Sequence, residues 1–118
     1  MMIVMSEVRV SYPTLNREQV VEGLRKACTR LEKRLPVSKI ILYGSYAVGQ
    51  YTVGSDIDLI VVYKGSSRDD AFKIVMNEIR LPRLEPKVYA EEQFSRMIAQ
   101  SPKFAETLEK EGVVIFES

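Results

Sequence analysis

Two aspartates separated by one residue are the positions of this sequence best suited to chemistry. Asp56 and Asp58 stand at the head of the apolar run Leu59-Ile60-Val61-Val62, which is typical of a buried strand. Because alternate residues of a strand point to the same face, both carboxylates are expected to project into one place. Two such carboxylates repel each other unless a proton or a cation lies between them. The pair therefore predicts a site for a divalent metal ion.

A Gly-Ser pair precedes the aspartates, with ten residues between Ser45 and Asp56. Gly44 has no Cβ, so the backbone can turn tightly there and approach a phosphate. Ser45 offers a hydroxyl and a backbone N–H near a predicted helix start, where phosphate oxygens bind readily. Ser55, directly before the aspartates, is a further candidate for nucleotide binding. Together these residues predict a site in which Mg²⁺ bridges carboxylates and a triphosphate.

The composition restricts the chemistry that can take place here. The chain of 118 residues has no histidine, which removes the usual general base and the commonest zinc ligand. Phosphoryl transfer depends mainly on positioning and charge stabilisation, so it needs neither. The single cysteine excludes an internal disulfide and suits a reducing, cytoplasmic setting. The net charge of +1 argues against a nucleic-acid groove, and no apolar run is long enough to cross a membrane.

The hydrophobic patterns predict a single α/β (α+β) domain over residues 1–118, a small mixed sheet flanked by helices. Residues 1–12 alternate only partly and predict an extended N-terminal arm or edge strand. A capping box formed by Asn16 and Gln19 predicts the start of the first helix. Further helices are predicted over residues 68–80, 91–100 and 102–110, with a short helical turn after Ser45. Strands are predicted over residues 39–43, 56–63, 85–90 and 113–116.

The pattern Gly44-Ser45, ten residues, then Asp56-Ile57-Asp58 resembles the signature of the DNA polymerase β-like nucleotidyltransferase superfamily. The match is specific, because the Gly-Ser after a strand, the spacing and the Asp-x-Asp before an apolar strand coincide. The small size resembles the minimal nucleotidyltransferase family, and the resemblance covers roughly residues 37–116. It implies the nucleotidyltransferase fold and an enzyme that moves NMP, foremost AMP from ATP, onto a hydroxyl with release of pyrophosphate. It also implies two Mg²⁺ ions, for which Mn²⁺ could substitute.

The same resemblance implies a third carboxylate on a neighbouring strand, acting as metal ligand and as base for the acceptor hydroxyl. Glu85 occupies that place, where the family usually has Asp; the alternatives are an exposed glutamate without a role, or Glu91 or Glu92. Lys87 shares the predicted strand face of Glu85 and could reach the nucleotide or remain solvated. Val48 stands where many family members carry Arg, so that cation is missing unless Lys87 or another chain supplies one.

The acceptor is implied only by the resemblance. Minimal nucleotidyltransferases often act as antitoxins that adenylylate a tyrosine of a small helical HEPN ribonuclease. Two alternatives stay open, a catalytically weak antitoxin or scaffold that acts by binding alone, and a transferase for an aminoglycoside-like small molecule. A homodimer is also left open. Tyr43, Tyr46 and Tyr51 surround the motif, and they could stack on a nucleotide base or pack against each other.

Overall fold

The computed structural model describes residues 15–118 as helices and strands that alternate along the chain. In order, the elements are α1 (Arg17–Glu32), β1 (Val37–Tyr43), α2 (Ser45–Val48), β2 (Ile57–Tyr63), α3 (Ala71–Glu78), β3 (Leu84–Ala90), α4 (Glu91–Gln100), α5 (Pro102–Glu111) and β4 (Val113–Glu117). The predicted arm at residues 1–12 lies outside the described residues. No helix within residues 15–118 is both long enough and apolar enough to cross a membrane.

The four strands form one mixed sheet in the order β3-β2-β1-β4. Strand β1 is antiparallel to both β2 and β4, whereas β2 and β3 are parallel. A parallel pair needs a crossover connection, and α3 supplies it. The small mixed sheet flanked by helices confirms the predicted fold class.

The two faces of the sheet pack against different helices. Ile40, Leu42, Leu59 and Val61 point to the face that packs against buried side chains of α1 and α3. The intervening residues of the same strands point to the other face and pack beneath α4 and α5. Strand β2 is therefore apolar on both sides, as its unbroken hydrophobic run predicted. Such a strand has little freedom to move, which favours a rigid support for side chains at its ends.

Several element boundaries follow from local side-chain contacts. The Asn16 side chain accepts a hydrogen bond from Gln19 N at 2.8 Å, and the Gln19 side chain accepts one from Asn16 N at 2.8 Å. The predicted capping box is thus confirmed. Helix α3 begins at Ala71 and not at residue 68; residues 69–70 form a turn ahead of it, in which the Arg68 guanidinium pairs with both oxygens of Asp70. Strand β2 begins at residue 57, one residue later than predicted.

Candidate functional site

The candidate site lies where β1 ends and where β2 and β3 begin. In the sheet register, Asp58 is the neighbour of Tyr43 on one side and of Glu85 on the other. Directly paired residues on adjacent strands point to the same face, with their Cα atoms about 4.8 Å apart in a parallel pair. The parallel pairing of β2 and β3 therefore brings together two carboxylates that are 27 residues apart in sequence.

The turn after β1 holds the backbone directly against the Asp58 carboxylate. Gly44 has φ +76° and ψ −156°, a conformation that favours glycine. A Cβ placed on Gly44 would overlap with Asp58 Oδ2. Both the backbone conformation and this overlap therefore exclude a side chain at this position. Ser45 is the first residue of α2, and the N–H groups of Ala47 and Val48 donate to the Gly44 carbonyl at 3.1 and 3.2 Å. The turn and the carboxylate are thus parts of one site.

Asp56 lies just before β2 and forms an ion pair with a cation that the sequence did not reveal. Its Oδ1 is 3.1 Å from Arg83 Nη2, and the two side chains are 48% and 55% exposed. The Arg83 carbonyl also accepts a hydrogen bond from Ile57 N at 2.8 Å, which ties the turn before β3 to the start of β2. The sequence offered one signal for this role: Arg83 stands two residues before Glu85, the candidate third carboxylate. Its importance depends on the parallel register, which no local pattern encodes.

Negative charge accumulates around Asp58. Burial raises the pKa of the Asp58 carboxyl, the carboxylates of Asp56 and Glu85 raise it further, and Lys87 opposes the shift. Burial also raises the pKa of Tyr43 to about 12, with Asp58 as its next largest cause. These effects place Asp56, Glu85 and Lys87 within electrostatic reach of Asp58. A cation entering here would relieve the repulsion among the acids.

The donors available at the site are carboxylate oxygens, the ligands that Mg²⁺ prefers. Asp58 and Glu85 lie side by side, and Asp56 is near enough to raise the pKa of Asp58. Within residues 15–118, no group of three or more His, Cys, Asp or Glu side chains is already arranged to hold a metal. The ion pair with Arg83 engages the Asp56 carboxylate. The three carboxylates of Asp56, Asp58 and Glu85 are chemically suited to Mg²⁺, but in this structure they do not converge on one point.

The remaining predicted residues have distinct positions. Lys87 is exposed on β3, two residues beyond Glu85. The Ser55 hydroxyl accepts a hydrogen bond from Thr52 N at 2.8 Å, so in this structure it closes the turn before Asp56. Val48 is 40% exposed at the end of α2, and as a valine it provides no positive charge there.

The two alternative acids of α4 lie in different surroundings. Glu92 pairs with Arg96 within the helix at 3.7 Å. Glu91 lines a cavity beside Val62, four residues along β2 from Asp58. Glu85 is therefore the acid that the sheet register brings next to Asp58.

The tyrosines around the motif contact other aromatic rings. Tyr46 is buried and stacks on Tyr51, with ring centroids 4.5 Å apart and an angle of 9° between the rings. The Tyr46 hydroxyl donates to the Leu15 carbonyl at 3.3 Å, and the Tyr51 hydroxyl accepts from Arg17 N at 3.1 Å. Tyr43 meets the edge of Phe104 at 5.5 Å. These contacts favour packing over base stacking.

Comparison with solved structures identifies the fold. A proposed nucleotidyltransferase from Sulfolobus solfataricus matches with a TM-score of 0.57 and 18% identity, covering 86% of this chain and 83% of that chain. A toxin–antitoxin structure with AMP-PNP matches with a TM-score of 0.54 and 16% identity, covering 80% and 73%. A structure of a tri-AMPylated Shewanella oneidensis HEPN toxin in complex with MNT antitoxin matches with a TM-score of 0.53 and 14% identity, covering 86% of this chain and 73% of that chain.

Comparison with sequence families agrees with the fold. No curated protein sequence matches the chain significantly. A family model described as a nucleotidyltransferase domain matches residues 21–115. This confirms the resemblance drawn from the Gly-Ser pair and the two aspartates. Since the match spans the turn at Gly44 and the strands that carry Asp58 and Glu85, the chain belongs to the nucleotidyltransferase domain family.

Proposed function

We propose that this protein is a Mg²⁺-dependent nucleotidyltransferase that moves NMP, foremost AMP from ATP, onto a hydroxyl acceptor with release of pyrophosphate. The observation that carries the proposal is the register of β2 and β3, which sets Glu85 beside Asp58 while Gly44 lies against the Asp58 carboxylate. A pair of acids beside a tight backbone turn can bind a metal and a polyphosphate together.

The residues of the site have separate roles in this proposal. Asp56, Asp58 and Glu85 would hold the metal ions, which when bound neutralise the triphosphate and stabilise the attacking and leaving oxygens. Glu85 is exposed, so its carboxylate can also accept the proton of an acceptor hydroxyl that arrives from solvent. Backbone N–H groups at Gly44 and Ser45 would bind phosphate oxygens. Lys87 supplies positive charge on the same strand as Glu85, and Ser55 is a further candidate contact to the nucleotide.

The acceptor that we propose is a tyrosine of a HEPN-type toxin, which would make this protein an antitoxin. Support comes from the structural relatives, among them a tri-AMPylated HEPN toxin in complex with MNT antitoxin and a toxin–antitoxin structure with AMP-PNP. The exposure of Glu85 at the surface suits an acceptor presented by another protein. A cytoplasmic location accords with the substrates, ATP and an intracellular ribonuclease.

The test is transfer of label from [α-³²P]ATP with Mg²⁺ to a helical protein encoded beside this one. Wild type should label a tyrosine of that protein, and the Asp56→Asn, Asp58→Asn double variant should lose labelling by at least about a hundredfold. Asp69→Asn removes an exposed acid ahead of α3 and serves as the matched control. Label on an aminoglycoside and not on protein would favour the small-molecule alternative. No transfer by wild type to either acceptor would reject the enzyme.

A second function is favoured by one observation. Within residues 15–118 the acids are not arranged to hold a metal, and the Asp56 carboxylate is engaged by Arg83. An antitoxin that acts by binding alone needs no assembled metal site. Toxin neutralisation by the double aspartate variant distinguishes the two functions. Full neutralisation would support binding alone, whereas loss of neutralisation with complex formation intact would support catalysis.

A further inference from the structure

We propose that Arg83 exchanges partners when the metal and the nucleotide bind. In the structure its guanidinium holds Asp56; when a divalent cation takes that carboxylate, Arg83 turns to the phosphates of the nucleotide. The inference rests on the proposed function, because it concerns the same site. It assigns a nucleotide-positioning role to a residue outside the Gly-Ser and Asp-x-Asp motif.

The ion pair is placed so that it can open. Arg83 Nη2 lies 3.1 Å from Asp56 Oδ1, and both side chains remain about half exposed. Exposed pairs of this kind contribute little to stability, because water and salt screen them. A divalent cation at Asp56 carries twice the charge of the guanidinium and binds the carboxylate directly. Metal and Arg83 therefore compete for the same oxygen atoms.

The backbone of Arg83 is hydrogen-bonded, whereas its side chain is about half exposed. Its carbonyl accepts a hydrogen bond from Ile57 N at 2.8 Å, which joins the turn before β3 to the start of β2. Arg83 follows Pro82 in a turn and has φ +57°, a conformation that glycine or asparagine adopts more easily. Arginine in this conformation costs conformational free energy, and residues held at such a cost often have a function. Here the residue places a long cationic side chain next to Asp56.

The excess of negative charge at the site explains why Arg83 would move from Asp56 to the nucleotide. Asp56, Asp58 and Glu85 are acidic, and a polyphosphate approaching three carboxylates is repelled unless cations intervene. Nearby positive charge comes from Lys87, which opposes the rise in the Asp58 pKa, and from Arg83. Once a metal ion occupies Asp56, the guanidinium has lost its partner. A phosphate oxygen is the acceptor that best replaces a carboxylate for arginine.

This exchange predicts effects of opposite sign from a single substitution. Arg83→Gln removes a competitor for the Asp56 carboxylate, so binding of Mn²⁺ alone should tighten by about two- to fivefold. The same substitution removes a cation for the phosphates, so binding of Mg²⁺·AMP-PNP should weaken by about tenfold. Arg83→Lys keeps the charge and should stay near wild type in both measurements. A residue with only a structural role would not move the two affinities in opposite directions.

The experiment measures both affinities on the same proteins. Mn²⁺ binding is followed by electron paramagnetic resonance without nucleotide, and Mg²⁺·AMP-PNP binding by calorimetry. Arg80→Gln is the matched control, because Arg80 is an exposed arginine whose Nε donates to the Asn77 carbonyl at 3.0 Å, outside the ion pair with Asp56. Thermal melting of each variant checks folding. Arg80→Gln should leave both affinities unchanged.

The outcomes separate this inference from the proposed function. If wild type binds Mg²⁺·AMP-PNP, Asp58→Asn abolishes binding, and Arg83→Gln changes neither affinity or shifts both the same way, the role of Arg83 is wrong and the proposed site stands. If wild type binds neither Mn²⁺ nor Mg²⁺·AMP-PNP, the proposed function fails and the partner exchange fails with it. Opposite shifts in Arg83→Gln, absent in Arg83→Lys, would establish the exchange.

Discussion

At the scale of single residues, the candidate site depends on atoms that approach each other closely. The Asp58 carboxylate rests against Gly44, and the Asp56 carboxylate rests against the Arg83 guanidinium. Both contacts join residues that are separated in sequence, and each involves one aspartate of the Asp-x-Asp pair. The two aspartates, which look equivalent in the sequence, therefore have different surroundings in the fold.

Two glycines of the connector, the segment of residues 44–56 between β1 and β2, allow the Gly44 contact to be tested. Gly44 and Gly49 have nearly the same φ, +76° and +79°, but a Cβ would overlap with Asp58 only at Gly44. Alanine at Gly49 should lower the free energy of unfolding by about 1–2 kcal/mol through backbone strain, measured by urea denaturation. Alanine at Gly44 should lower it further, because the overlap with Asp58 adds to a backbone conformation that only glycine adopts readily. Only Gly44→Ala should also displace the carboxylate and weaken Mn²⁺ binding. Equal Mn²⁺ affinity in the two variants would contradict the contact.

At the scale of elements, local signals predicted most of the fold. The Asn16 capping box and the apolar run of β2 are properties of neighbouring residues, so the sequence alone was enough to place the start of α1 and, to within one residue, β2. The start of α3 was placed three residues too early because helical periodicity did not reveal the turn at residues 69–70. The position of Arg83 was missed for another reason, since it is adjacent to Asp56 only through the pairing of β2 with β3.

The packing of α1 against the connector gives a prediction at this scale. Tyr51 stacks on Tyr46 and its hydroxyl accepts from Arg17 N, so it joins the connector to the first turn of α1. Tyr51→Ala should lower the free energy of unfolding by about 1–3 kcal/mol in urea. Tyr51→Phe should cost less, about 1 kcal/mol, because only the hydrogen bond is lost.

The same variants decide between packing and base stacking. If Tyr51 only packs, Mg²⁺·AMP-PNP affinity should be unchanged in Tyr51→Ala under conditions where the variant is folded. A base stacked on an aromatic ring contributes about 1–3 kcal/mol of binding. A loss of affinity by tenfold or more, with folding intact, would show that the ring contacts the nucleotide.

At the scale of the molecule, the site occupies one end of a strand that is buried on both faces. Strand β2 lies between the layer of α1 and α3 and the layer of α4 and α5, so its end has little freedom to separate the acids. The sheet therefore keeps Asp58 beside Glu85 although their charges repel. Holding these acids side by side should lower the stability of the protein, and a cation bound between them should restore it.

This cost predicts how stability depends on pH. The raised pKa of Asp58 means that the folded protein holds this proton more tightly than the unfolded chain does. At neutral pH, folding with a charged Asp58 therefore costs free energy, and the cost is relieved as pH falls through the folded pKa toward about 3.9, the unfolded value. Asp58→Asn should raise the free energy of unfolding at pH 7, by less than about 1 kcal/mol because the side chain is partly exposed.

Urea denaturation of wild type and Asp58→Asn between pH 4 and pH 8, without metal, measures this difference. The difference in the free energy of unfolding between Asp58→Asn and wild type should narrow steadily as pH falls toward 4. Asp69→Asn, which removes an exposed acid outside the site, is the control variant. Adding Mg²⁺ at pH 7 should stabilise wild type and leave Asp58→Asn nearly unaffected, since the cation replaces the missing proton among the carboxylates. If Asp58→Asn were less stable than wild type at every pH, the charged Asp58 would stabilise the fold, which would contradict this prediction.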